Sequence, residues 1–88
     1  MAITQETIAD AIERYIRTEH FVSESDPVFT RDVHLFELGF VDSVGFVELL
    51  EFIRAQYGVE LSGDRIFTDN FTSINGISEI VWSMLQPA

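Results

Sequence analysis

Apolar side chains recur at helical spacing in three stretches of this chain, and the intervals between them set the rest of the architecture. In the first stretch Ile8, Ile12, Tyr15 and Ile16 fall at i, i+4, i+7 and i+8, behind Thr4 as an N-cap with Glu6 in the first turn. This predicts a helix over about residues 4–18. In the second, Phe46, Leu49, Leu50, Ile53 and Tyr57 form a core stripe, with Asp42 placed to cap the start and Gly58 to end the helix, which is expected over residues 43–57. In the third, Ile74, Ile77, Ile80, Val81, Met84 and Leu85 share one side of a helix that starts near Thr72 or Ser73 and closes at Pro87. Trp82 falls beside that stripe as a partly buried packing residue.

Residues 19–41 show no clean period. Asp26-Pro27 marks a turn, whereas Phe29, Val33, Leu35, Phe36 and Leu38 are too apolar for free solvent, so a long loop packed onto the body is expected. Connections of that length are uncommon in small domains and usually carry function. Residues 66–71 leave room for one helical turn or an irregular link, with Phe67 and Phe71 plugging the core. No strand pair or repeat stands out. The expected fold is all-α, a small four-helix bundle of three main helices plus one short helix, with a long loop between helices 1 and 2 and one domain over residues 1–88.

Composition narrows the partners. Fifteen acidic against five basic residues give a formal charge of -10, which disfavours nucleic acid and anionic membrane and favours proteins with basic docking surfaces. An apolar fraction of 47% suits a packed domain rather than a disordered tail. With no cysteine, the fold has neither a disulfide framework nor a thiolate metal site. The N-terminus lacks a basic segment followed by an apolar run, and no apolar stretch approaches the roughly 20 residues that span a bilayer. A cytoplasmic monomer without membrane insertion is expected.

The candidate chemistry centres on Ser43, where an apolar-polar loop gives way to the second helix. With Asp42 as N-cap, Ser43 is the first helical residue and its side chain should point outward. A phosphodiester on that oxygen would lie over a helix N-terminus, where free N–H groups and the positive end of the dipole tolerate an anion. Asp42 works partly against this, and fits better as a docking contact for a modifying enzyme or its metal ion. Val44, Val47, Glu48 and Glu51 follow helical spacing on a face of their own, which reads as a docking surface beside Ser43 or, alternatively, as an ordinary acidic surface with two incidental valines.

Other chemistries are excluded by what surrounds these residues. The string Val41-Asp42-Ser43-Val44-Gly45 has valine where a hydrolase elbow needs its first glycine, and neither His20 nor His34 has a recognisable triad partner. Both histidines are expected to face solvent, at a spacing unsuited to metal. No calcium-binding loop occurs, and the absence of lysine excludes a phosphate-binding P-loop. No catalytic residue and no metal site are expected.

Leu35-Phe36-Glu37-Leu38-Gly39, then Asp42-Ser43-Val44, an acidic helix ending at Tyr57-Gly58-Val59, and Asn70-Phe71-Thr72-Ser73-Ile74 together resemble the acyl and peptidyl carrier protein family. The resemblance spans about residues 35–85. It implies a non-catalytic carrier whose Ser43 receives 4'-phosphopantetheine from coenzyme A through a phosphopantetheinyl transferase, the arm's thiol then holding an acyl or aminoacyl thioester. It places Asp42 and Val44 at contacts for the transferase and other partners, and Val47, Glu48 and Glu51 on the recognition helix. Further implied partners are an adenylating acyl or aminoacyl ligase and downstream condensation, ketosynthase or transferase enzymes. Two residues, Phe40 and Val41, separate the glycine from Asp-Ser where fatty-acid carriers usually have one, and valine rather than leucine follows the serine. That spacing is similar to stand-alone D-alanyl carriers and discrete carriers of nonribosomal peptide or polyketide pathways. An amino acid is the leading cargo, with a short or medium fatty acyl chain close behind. Gly45 also departs from a good helix former, and either leaves room for a partner or the arm, or is simply unselected. The competing functional class is an unmodified acidic helical adaptor for a basic partner.

Overall fold

A computed structural model describes residues 3–61 and 69–86 of the chain. Helix α1 spans Gln5–Glu19, α2 spans Ser43–Tyr57, a 3-10 turn covers Asp69–Thr72, and α3 spans Ile74–Leu85. No strand occurs among the described residues. The all-helical arrangement is the one expected. Of the stretch 66–71 expected to hold a helical turn or link, residues 66–68 and the proposed core role of Phe67 lie outside the described residues; Asp69–Thr72 forms the 3-10 turn, and Phe71 is buried.

Each main helix begins where a side chain satisfies its first N–H groups. Thr4 and Thr7 form a reciprocal capping box, with the Thr7 N–H donating to Thr4 Oγ1 at 3.1 Å and the Thr4 N–H to Thr7 Oγ1 at 2.9 Å. Ser73 accepts the Gly76 N–H at 3.0 Å to start α3. Gly58, at φ 70, ends α2 in the left-handed conformation that glycine adopts without a Cβ penalty. Ile8, Ile12 and Ile16 of α1, Leu49 and Ile53 of α2, and Ile74, Ile77 and Val81 of α3 converge on one core. Their removal from water is the main stabilising term.

The long connection between α1 and α2 is part of that core. Phe29, Leu35 and Val41 are buried in it, and the Leu35 N–H donates to Thr72 O at 2.8 Å. Arg31 pins the loop to α1 through Glu13 at 2.8 Å and Asp10 at 3.6 Å, while its carbonyl accepts the Asn75 N–H of α3 at 2.9 Å. The hydrogen bond from Arg31 holds the Glu13 carboxyl below its ordinary value, helped by Arg17 and opposed by partial burial. The Arg17 guanidinium lies 4.7 Å from the Phe29 ring centre, a cation-π contact that closes the same corner.

Leu38 departs from expectation: it is 49% exposed. The N–H groups of Phe40 and Val41 both reach Leu35 O, at 2.9 and 3.2 Å, and Gly39 reverses the chain at φ 79. Leu35 and Val41 thus take the interior places, and Leu38 is left at the apex of the turn.

Candidate functional site

The turn that buries Val41 delivers Asp42 in extended conformation, with φ -98 and ψ -175, directly onto α2. Asp42 Oδ1 accepts the Gly45 N–H at 2.7 Å, and Asp42 O accepts the Phe46 N–H at 2.8 Å. Ser43 is therefore the first helical residue, and it is exposed. Phe46 fixes the rotation of the helix. Its ring meets Phe36 edge-on at 5.2 Å and Phe71 at 5.4 Å, which turns the opposite face of α2 toward solvent.

That outer face holds the residues expected for docking. Val44 is 67% and Val47 58% exposed, and Asp42, Glu48 and Glu51 are also exposed, so all five flank Ser43 on the accessible side of one helix. A groove of about 260 Å³ continues the face, lined by Val47, Leu50, Glu51, Arg54, Glu60 and Leu61. Arg54 stands 3.8 Å from both Glu51 and Glu60, too exposed and too distant to neutralise either strongly.

The histidines differ from expectation, because both are partly buried. His34 Nδ1 accepts the Glu37 N–H at 3.1 Å and so caps the turn that ends at Gly39. His20, the C-cap of α1, lies against the first turn of α2. A Cβ built on Gly45 would come within 2.5 Å of His20 Cε1 and 2.9 Å of Nε2. The close approach that Gly45 permits within the domain is that of His20. Gly45 was the sequence signal for this contact; nothing in the sequence named its partner.

Phe21 was missed altogether. It follows the C-cap of α1 at φ 55, a conformation costing about 1–2 kcal/mol for a bulky side chain, and its ring is 92% exposed.

The site fits a covalently attached phosphodiester. Such a group needs an exposed hydroxyl and a setting that accepts an anion. The Ser43 hydroxyl has no hydrogen-bond partner among the described residues. Asp42 takes the Gly45 N–H, and those of Ser43 and Val44, at the positive end of the helix, have no partner among the described residues. The Asp42 carboxylate keeps its charge while it caps, and so works partly against a second anion at this helix end.

Comparison with known proteins gives one family match. The model described as "Phosphopantetheine attachment site" matches residues 6–81, which takes in α1, α2 and most of α3. Neither the curated proteins nor the solved structures compared with the chain give a match. Among the described residues no helix is long and apolar enough to cross a membrane.

Proposed function

Because this chain belongs to the phosphopantetheine-attachment family of acyl and peptidyl carrier proteins, we propose that Ser43 is its tether and that residues 1–88 act as one carrier domain. The chain is a phosphopantetheine-bearing carrier, with the arm attached covalently. Attachment joins the Ser43 oxygen to the pantetheine-side phosphorus of coenzyme A. The pyrophosphate P–O bond breaks, adenosine bisphosphate leaves, and the hydroxyl proton passes to a base of the transferase. The carrier supplies an accessible nucleophile and a docking surface, and catalyses nothing itself.

The observation that carries this reading is the exposed hydroxyl, without a partner among the described residues, at the first position of α2 directly after a capping aspartate. Asp42, Val44, Val47, Glu48 and Glu51 form the docking face for the transferase and for the enzymes that load and unload the thiol. An aminoacyl group loaded by an adenylating ligase is the favoured cargo, on the strength of the two residues between Gly39 and Asp42. The domain works as a cytoplasmic monomer. Incubation with coenzyme A and a broad-specificity phosphopantetheinyl transferase should add a single phosphopantetheine, and Ser43→Ala should abolish the addition. An unmodified wild-type chain that still binds a basic partner would instead identify an adaptor.

A further inference from the structure

We infer that Phe21 is an anchor for the transferase that modifies Ser43, so that its docking surface runs from α2 onto the C-terminal end of α1. This rests on Ser43 being the tether.

The first ground is local. The Val22 N–H donates to Arg17 O at 3.0 Å, closing the helix end in the form whose left-handed position, here Phe21, ordinarily belongs to glycine. Val22 packs on the core and Arg17 donates to Ser23 O, so the chain on both sides is fixed and the ring is driven outward. Within the described domain that ring joins no aromatic pair, and glycine would close the same turn without strain or exposed apolar area. A strained, exposed aromatic with no intramolecular return is the kind of residue that anchors an interface.

Position supplies the second ground. His20, the preceding residue, rests on Gly45, two residues beyond Ser43, so Phe21 stands at the end of α2 that must be modified. Exposed carboxylates lie on both helices here, Glu19 beside His20 and Glu48 about one turn beyond Gly45. Tyr15 of α1 stacks on Phe52 of α2 at 4.3 Å, and burial together with the carboxylates Glu19 and Glu48 raises its pKa, which places charge from both helices around one ring. The complementary surface is an apolar pocket with a basic rim.

The chemistry chooses among partners. The transferase alone has to bring a coenzyme A phosphorus to the Ser43 oxygen, and so has to cover this end of the domain. Later enzymes share the α2 face but react with the thiol at the far end of the arm, and need bring no reacting atom to Ser43.

Phe21→Gly removes the ring and relieves the backbone together. With the purified transferase of the source organism and coenzyme A, its kcat/KM for modification should fall about tenfold through KM, while its melting temperature equals or exceeds that of wild type. Phe21→Leu should recover part of the loss. Wild-type kcat/KM in Phe21→Gly, or a loss matched by a lower melting temperature and absent in Phe21→Leu, would overturn the inference and leave the tether intact. A wild-type chain that is never modified would overturn the tether reading instead.

Discussion

The imidazole of His20 occupies the space that a side chain on Gly45 would need, with Cε1 only 2.5 Å from the position of the missing Cβ. This contact joins the end of α1 to the start of α2, the end that bears Ser43. Alanine is the better helix former by up to about 1 kcal/mol, but the overlap with the ring costs about 1–3 kcal/mol. Gly45→Ala should therefore lower the melting temperature of the native chain, and by clearly less in a His20→Ala background, where only Asp42 Oδ1 at 3.2 Å still crowds the new Cβ. The thermal double-mutant cycle reads that coupling directly.

Asp42 fixes where α2 begins. Asp42→Ala removes the acceptor of the Gly45 N–H and should cost about 1 kcal/mol in urea unfolding, whereas Asp42→Asn keeps an acceptor and should cost much less. If Asp42 also docks the transferase, Asp42→Asn should slow modification by more than its small stability loss explains.

Charge on the outer face of α2 should govern encounter with a basic partner. Glu48→Lys combined with Glu51→Lys should slow modification about three- to tenfold at low salt, with helicity by circular dichroism unchanged because both positions are exposed. The difference should shrink as salt rises. Equal rates at low salt would remove Glu48 and Glu51 from the docking face.

Acid should loosen the long loop. The Glu13 carboxyl lies below its ordinary value of 4.5, chiefly through the hydrogen bond from Arg31, so the unfolded chain takes up its proton first as pH falls. The stability from this group is complete above that ordinary value and is lost as pH drops through the lower native one. Glu13→Gln should cost up to about 1 kcal/mol near neutral pH and flatten the fall in melting temperature below about pH 4.5.

The three main helices were legible in the sequence because each pairs a strong apolar period with a capping residue: Thr4 and Asp42 cap as expected, and of the two starts offered for the last helix, Thr72 or Ser73, it is Ser73 that caps. The outward face of α2 was legible for the same reason, since burying Leu49 and Ile53 forces Val44, Val47, Glu48 and Glu51 to the other side. Contacts made across the chain were not legible. His20 meets Gly45 across 25 positions, and no local pattern records that approach. Leu38 looked too apolar for solvent, but the reversal at Gly39 allows only Leu35 and Val41 inside. Phe21 defied the usual preference for glycine after a helix, a rule that cannot anticipate its own exceptions.

The most direct test is to treat the chain with coenzyme A and a phosphopantetheinyl transferase, digest it, and locate the added group by tandem mass spectrometry. One phosphopantetheine on Ser43, and none on any other hydroxyl, is the predicted result. Modification at another serine or threonine, or none under conditions that modify a control carrier, would contradict Ser43 as the tether.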